Sequence, residues 1–180
     1  MVNVLILGAN GQLARNTTRV LLRDSDARLT LYLRRARRLP NPDPARVTIV
    51  EGDVPDRPTL AAAMKEQAEQ IVAAMHATGL RRLIFISSMG IYGEVPGERY
   101  GSVLDPYRDS AAVIEASDLD YTVLRPGWFT NADEVVYRIT HKGEPFVGHD
   151  VSLNSVSDLI VKLAVTSEMH VRRSLGVSRG

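Results

Sequence analysis

Cysteine is absent from the chain of 180 residues, which excludes disulfides, thiol nucleophiles and thiolate metal sites. No run of about 18 apolar residues occurs, so we expect no membrane-spanning segment. The first residues, MVNVLIL, have neither the basic region nor the apolar length of a secretory signal peptide. The net charge of only +1 argues against bulk binding to nucleic acid or membranes. These absences predict a soluble, cytoplasmic protein and leave its oligomeric state open.

The length and composition fit one ordinary globular domain, with 44% hydrophobic and 24% charged residues. Short runs rich in Val, Ile and Leu alternate with stripes at helical spacing. This alternation predicts an α/β fold with a doubly wound parallel sheet in a single domain. The four histidines show no metal-ligand spacing, so no metal site is predicted. We predict strands at 2–7, 28–33, 46–50, 82–86 and 121–124, and helices near 12–23, 105–117 and 155–166, the last capped by Ser155.

Residues 52–81 depart from this alternation. A doubly wound sheet of six strands places its fourth strand here, beside the first, but the sequence shows one continuous helical stripe. We therefore expect that a strand-containing segment is missing between about Met64 and Gln67. The alternative is one helix near 59–78, with the first strand paired directly to 82–86. The stripe consists of Leu60, Met64, Ala68, Ile71, Val72 and Met75.

The stretch GANGQLA, residues 8–14, joins a buried strand to a helix. Gly8 lets the backbone turn sharply, and Gly11 removes a side chain where a pyrophosphate must approach. The free N–H groups and the dipole at the helix start would hold the phosphates. A plain strand-to-helix turn is the alternative, and the missing lysine excludes a Walker-type loop. We predict a dinucleotide site with contacts from Gly8, Asn10, Gly11, Gln12 and Leu13.

The residues after the second strand indicate which dinucleotide is bound. An NAD site usually has an acid there for the ribose 2′-hydroxyl, but no acid lies between 27 and 42. Arg34 and Arg35 stand there instead, and arginine suits a 2′-phosphate. This favours NADP(H), with NAD(H) possible; a solvated basic turn or a nucleic-acid patch would look the same. Asp53 and Val54 are predicted to meet the adenine, although Asp53 fits a loop cap equally well.

Three motifs carry a resemblance to a known family: GANGQLA, IFISSMGIYG at 84–93 and IEASDLDYTVLRPG at 114–127. In this combination and order, the chain resembles the atypical, NmrA-like members of the short-chain dehydrogenase/reductase superfamily. The resemblance implies a Rossmann-like, NAD(P)-binding domain over 1–180, with a small substrate-side portion from about 126 to 180. It implies Ser88 and Tyr107 as catalytic residues, and Ser87 and Pro126 as cofactor contacts.

The chain departs from the superfamily at the lysine of its Tyr-x-x-x-Lys pair, where Ala111 stands. A tyrosine with a pKa near 10 needs a nearby cation before it exchanges protons at neutral pH. Two functions therefore remain open. One is an NADP(H)-dependent oxidoreductase acting on a small carbonyl or quinone-like acceptor, with Trp128 and Phe129 as candidates to border the substrate. The other is a non-catalytic NAD(P)-sensing regulatory or scaffold protein.

Overall fold

The computed structural model describes residues 2–52, 60–97 and 101–180, with only the backbone described for Arg38, 60–63 and Gly101. The predicted strands and helices all form, with small shifts at their ends. Four strands after residue 126 were not predicted. The elements are β1 (Asn3–Leu7), α1 (Gln12–Asp24), β2 (Arg28–Leu33), β3 (Val47–Glu51), α2 (Leu60–Thr78), β4 (Arg82–Ile86), α3 (Asp105–Ala116), β5 (Asp120–Pro126), β6 (Trp128–Thr130), β7 (Arg138–His141), β8 (Asp150–Ser152), α4 (Leu153–Val165) and β9 (Arg173–Ser178).

The predicted cap of α4 is wrong. Ser152 caps this helix, because its Oγ accepts a hydrogen bond from the N–H of Ser155 at 3.0 Å. Ser155 lies inside the first turn and is buried, and its own Oγ donates to the carbonyl of Val136 at 2.9 Å. Two serines at this spacing each satisfy a different backbone group, so the sequence alone did not distinguish the cap from the buried serine.

The strands form an α/β fold in a single domain, as predicted, but they are divided among three sheets. One sheet has the parallel order β1-β2-β3. The second has the order β4-β5-β9-β7, parallel except for β7, which runs antiparallel to β9. A short pair, β6-β8, forms the third. Each of the two larger sheets therefore extends from its first strand: β2 and β3 follow β1 in one sheet, and β5, β9 and β7 follow β4 in the other.

Helix α2 corrects the expectation of a missing segment. It runs without interruption from Leu60 to Thr78, through the Met64–Gln67 stretch where the break was expected. Ala, Met, Glu, Gln and Lys dominate this stretch and are strong helix formers. Ala68 packs with Ala111 of α3 in one buried cluster. The alternative is only half right: one helix forms, but β1 and β4 do not pair, and no strand lies between them in the described ranges.

Helices α1 and α4 connect the two larger sheets. Val161 of α4 belongs to the buried cluster that α1 forms with β2, whereas Leu159 and Leu163 of α4 are buried against β5 and β9. In return, Leu13 of α1 packs against the second cluster. A polar contact also joins the two helices: Asn16 Nδ2 on α1 donates to Ser157 Oγ on α4 at 2.9 Å. Side chains of α1 and α4, rather than strand pairing, thus hold together the two halves of the molecule, one containing the β1 sheet and the other the β4 sheet.

The sheet that contains β1 is buried on one face only. Leu29 and Leu31 of β2 are buried on the face toward α1. On the other face Leu5 and Leu7 of β1 are 55% and 47% exposed, next to the partly exposed Val50 of β3. The edge of β1 away from β2 has no strand partner among the residues described. An apolar face and an open strand edge therefore meet at β1.

Substitutions on the two faces should have different effects on stability. Leu31→Ala, inside the α1 cluster, should lower the free energy of unfolding by about 2–5 kcal/mol because it leaves a cavity. Leu5→Ala, on the open face, should change it by no more than about 0.5 kcal/mol. Urea unfolding followed by circular dichroism measures both. A loss at Leu5 as large as that at Leu31 would show that this face is covered.

Candidate functional site

The candidate site lies at the carboxyl ends of β1, β2, β4 and β5. Open α/β sheets bind ligands at this edge, where the strand order reverses. One hydrogen bond shows that the two halves of the edge converge: Gln12 Nε2, at the start of α1, donates to Asn131 Oδ1 at 3.3 Å. Gln12 follows β1, and Asn131 follows β6, which itself comes directly after β5. The loops after the two sheets therefore face one region.

The loop from Gly8 to Gly11 has the geometry of a phosphate cradle. Gly8 has a φ of 67°, a left-handed conformation that side chains disfavour. The N–H of Gly11 donates to the carbonyl of Gly8 at 2.9 Å, which closes the turn. A Cβ at Gly11 would lie 3.3 Å from that carbonyl. Gly11 provides no side-chain cap to α1, so the first N–H groups of the helix remain available to an anion.

Arg15, in the first turn of α1, contacts this loop and was not predicted as a site residue. Its Nε and Nη2 donate to Asn10 Oδ1 at 3.1 and 2.6 Å, which holds a guanidinium beside the cradle. Its position four residues after Gly11, on the same face of α1, was the signal that would have found it. The predicted contact Leu13 is half-buried and faces the second core cluster, so only its backbone can serve a ligand.

Arg34 and Arg35 directly follow β2, and both side chains are exposed. The turn they form is fixed by Glu51, at the end of β3, whose Oε2 accepts from the N–H of Ala36 at 2.9 Å. Glu51 is thus an acid near the expected ribose position, contributed by the third strand rather than the second. The predicted adenine contacts Asp53 and Val54 lie outside the described residues.

The loop after β4 is held against β5. Backbone hydrogen bonds continue past the strand, with Ser87 N–H donating to Leu124 O at 2.8 Å and Met89 N–H to Pro126 O at 3.1 Å. Ser87 is buried, and its Oγ lies 3.5 Å from the carbonyl of Tyr107. Ser88 Oγ donates to the carbonyl of Met89 at 3.1 Å. The structure thus brings Ser87, Pro126 and the backbone of Tyr107 together.

The side chains of Ser88 and Tyr107 form no hydrogen bond with each other within the described parts of the chain. No cation pairs with the Tyr107 hydroxyl there either. Ala111, at the lysine position, is fully buried in the α3 core. Arg108 is exposed, and its Nη2 lies 2.6 Å from Asp105 Oδ1. Among the described residues, the usual cation beside the Tyr107 hydroxyl is thus not found.

A buried polar cluster lies beside this loop and was also not predicted. Arg125 on β5 forms an ion pair with Glu94, and its Nε donates to Ser174 Oγ at 3.1 Å. The Tyr92 hydroxyl donates to Glu115 Oε1 at 2.7 Å. Burial raises the pKa of Tyr92 well above its usual value, the bond to Ser174 opposes this effect, and Glu115 adds to it. Tyr92 thus stays protonated throughout the neutral range.

Exposed apolar side chains border the same edge. Trp128 and Phe129 directly follow Gly127 and are 59% and 40% exposed. The Trp128 ring lies 6.4 Å from the ring of His149, centroid to centroid. Within the residues described, no group of three or more His, Asp or Glu could hold a metal. Nor is any described helix long and apolar enough to cross a bilayer.

Comparisons with known proteins point to one family. The profile of a family described as NAD(P)H-binding matches residues 8–167. A Rossmann-fold NAD(P)-binding family protein from Shigella flexneri is 36% identical, with 99% of this chain and 93% of that one covered and a TM-score of 0.83. A short-chain dehydrogenase/reductase from Veillonella parvula, solved in complex with NADP, is 30% identical, with coverages of 98% and 94% and a TM-score of 0.85. No curated protein sequence matches the chain.

A more distant likeness concerns the fold alone. The anaerobilin reductase ChuY from Escherichia coli O157:H7 is 18% identical, with 98% of this chain and 97% of that chain covered, and a TM-score of 0.77. The same arrangement of strands and helices is therefore kept where few residues are shared.

The two loop glycines should respond differently to alanine. Gly8→Ala should lower the free energy of unfolding by about 1–2 kcal/mol, because the residue has positive φ. Gly11 has a φ of −66°, which alanine adopts without strain. Gly11→Ala should therefore lower the free energy of unfolding by only about 0.5 kcal/mol, from the 3.3 Å contact of its Cβ with the Gly8 carbonyl and the weaker N-cap. It should weaken dinucleotide binding about 10- to 100-fold, because the added methyl group displaces the pyrophosphate from a charge-assisted hydrogen bond. Urea unfolding and fluorescence titration with NADPH measure the two effects. Unchanged affinity in Gly11→Ala would contradict the cradle.

Proposed function

The chain belongs to the NAD(P)H-binding family of atypical short-chain dehydrogenase/reductase-like proteins, and we propose that it is an NADP(H)-dependent oxidoreductase for a small carbonyl or quinone-like acceptor. The observation that carries this proposal is the glycine cradle at the uncapped start of α1. When bound, the nicotinamide cofactor supplies the hydride, and the protein supplies orientation and electrostatics.

The residues around the cradle fit a pyrophosphate. Gly11 leaves room for close approach, and the uncapped N–H groups at the start of α1 would bind an anion placed there. Arg15, held by Asn10, adds a positive charge at the same place. Gln12, bonded to Asn131, connects the cradle to the substrate side. These contacts would hold the cofactor whether or not its ribose carries a 2′-phosphate.

The choice of NADP(H) over NAD(H) depends on the turn after β2. Two exposed arginines, Arg34 and Arg35, favour a 2′-phosphate, which guanidinium groups bind by charge-assisted hydrogen bonds. Glu51, at the end of β3, already accepts from the N–H of Ala36 in this turn, so one of its oxygens is engaged. The NADP complex of the Veillonella relative also supports NADP(H). NAD(H) remains the alternative, with Glu51 as the ribose ligand.

In the proposed reaction Ser88 exchanges its hydrogen bond to the carbonyl of Met89 for one donated to the acceptor oxygen, and Tyr107 or water supplies the proton. Water is the stronger candidate, because Ala111 provides no cation to lower the pKa of a tyrosine. Trp128 and Phe129 expose apolar rings at the same edge and would suit a planar, weakly polar acceptor. The proposed acceptor is therefore small and carbonyl- or quinone-like.

A non-catalytic sensor is the second candidate, and Ala111 is the observation that favours it. Incubating the protein with NADPH and a panel of quinones and aldehydes separates the two functions, with absorbance at the nicotinamide band as readout. We expect oxidation of NADPH with at least one acceptor. Tight binding of NADPH without oxidation by any acceptor would support the sensor instead.

The cofactor preference can be tested on the arginine pair. Arg34→Ala/Arg35→Ala should weaken NADPH binding by about 1.5–3 kcal/mol for each lost charge-assisted bond, and NADH binding far less. Isothermal titration of both cofactors gives the two affinities. Arg172→Ala/Arg173→Ala is the matched control, because it also removes two positive charges. Arg173 begins β9 and Arg172 directly precedes it, so both lie at the end of that strand away from the site. Equal losses for NADPH and NADH would remove the assignment.

The proton source can be tested on Tyr107. Because no cation pairs with its hydroxyl in the described residues, Tyr107→Phe should lower kcat by much less than the roughly 10²–10⁴-fold that a working general acid contributes. Steady-state turnover of NADPH with the best acceptor of the panel measures this. A loss in the upper part of that range would show that another group takes over the role of the missing lysine.

A further inference from the structure

Residues 89–94 form a tight turn directly after the serines of the candidate site. Gly90 and Gly93 both have positive φ, at 85° and 71°. The N–H of Gly93 donates to the carbonyl of Gly90 at 3.0 Å. Ile91, between them, is buried in the cluster of α2 and α3. This turn continues directly from the segment that carries Ser88, which backbone hydrogen bonds from Ser87 and Met89 hold against β5.

One carboxylate organises this turn. Glu94 Oε1 accepts from the N–H of Gly90 at 3.1 Å, and its Oε2 accepts from the N–H of Tyr92 at 2.9 Å. Its own carbonyl accepts from the N–H of Phe146 at 2.8 Å, which ties it to the chain after β7. The side chain of Glu94 is only 6% exposed. Both oxygens are thus committed to the backbone of the turn.

The same carboxylate is held from the sheet side by Arg125, whose side chain is 0% exposed. Arg125 is fixed in turn by Ser174, and its guanidinium lies 5.1 Å from the centroid of the Tyr92 ring. Arg125 also directly precedes Pro126, whose carbonyl accepts from Met89. The ion pair therefore joins the end of β5 to both ends of the loop that carries Ser88.

A buried ion pair adds little net stability compared with apolar residues of similar size, so stability alone does not explain it. Fixing backbone geometry does, because a carboxylate that accepts from two amides and a guanidinium allows one arrangement only. We propose that Glu94, clamped by Arg125, is the positioning residue that sets the Ser88 loop for the reaction. This inference rests on the proposed function.

The test removes the clamp without leaving an unpaired buried charge. Glu94→Leu/Arg125→Met takes away both charges, so the variant should fold. Glu94→Asp is the second variant, because its shorter side chain keeps the charge but cannot reach both Arg125 and the turn. Glu144→Gln is the matched control, since Glu144 Oε2 also accepts a backbone N–H, that of His141 at 2.7 Å, in an exposed turn.

Two readouts separate positioning from a purely structural role. Amide hydrogen exchange at Gly90 and Tyr92, measured by NMR, should become faster in both clamp variants and stay unchanged in the control. With NADPH and menadione as probes, kcat should fall about 10- to 100-fold, because a small misplacement of a reacting group has that effect. The Kd for NADPH should change much less than kcat, because the cradle is untouched and only the predicted contacts from Ser87 and Pro126 lie in the affected loop.

The outcomes are distinct. Faster exchange at Gly90 and Tyr92 with a reduced kcat supports the proposal. Faster exchange with an unchanged kcat, or unchanged exchange, overturns it. If the wild-type protein oxidises no NADPH with menadione, the shift that NADPH induces in the Ser88 amide resonance replaces kcat. A shift altered in the clamp variants but not in Glu144→Gln then supports the positioning role, and an identical shift overturns it, separately from the fate of the proposed reaction.

Discussion

The packing of α1 against α4 is the contact on which the rest of the molecule depends. In the described residues no strand joins β1 to β4, so the backbone hydrogen bonds of the two larger sheets end at that division. Each helix reaches into the core of the other half, Val161 from α4 and Leu13 from α1. Cohesion between the halves is thus made by non-directional apolar burial and a few polar contacts, such as Asn16 to Ser157.

This division separates the candidate site by function. The cradle at Gly8–Gly11 and the arginines after β2 belong to the β1 sheet, whereas Ser88 and Pro126 belong to the β4 sheet. Each half has its own local contacts: a hydrogen-bonded glycine turn on one side, and the Glu94–Arg125 ion pair on the other. Between the halves, the described part of the site has a side-chain hydrogen bond from Gln12 to Asn131. Each half is fixed locally, and their relation depends on the helices.

How far the sequence predicted this arrangement depends on the range of each interaction. The strand–loop–helix unit from β1 to α1 was predictable, because its apolar run and glycines are local signals. The cap of α4 was not, because Ser152 and Ser155 are both suitable and burial decides between them. Glu94 and Arg125, 31 residues apart, meet only through the sheet, so no spacing rule predicts their pairing. The sequence showed no strand-like run between β3 and β4, and this indicated the division beside β1. It favoured a missing segment there, whereas the structure has the continuous helix α2.

A divided sheet also changes what binding and turnover require. In a continuous sheet, hydrogen bonds between neighbouring strands fix the loops at their carboxyl ends relative to one another. Here the cradle and the Ser88 loop have no such connection within the described ranges, and the open face around Leu5 and Leu7 leaves β1 supported from the α1 side only. Under the proposed function, cofactor affinity would depend mainly on the first half, which carries the cradle and the arginines, with Ser87 and Pro126 as the predicted contacts from the second. The proposed turnover would also need the Ser88 loop of the second half in its correct position relative to the cofactor, so α1–α4 packing would affect the rate more than binding.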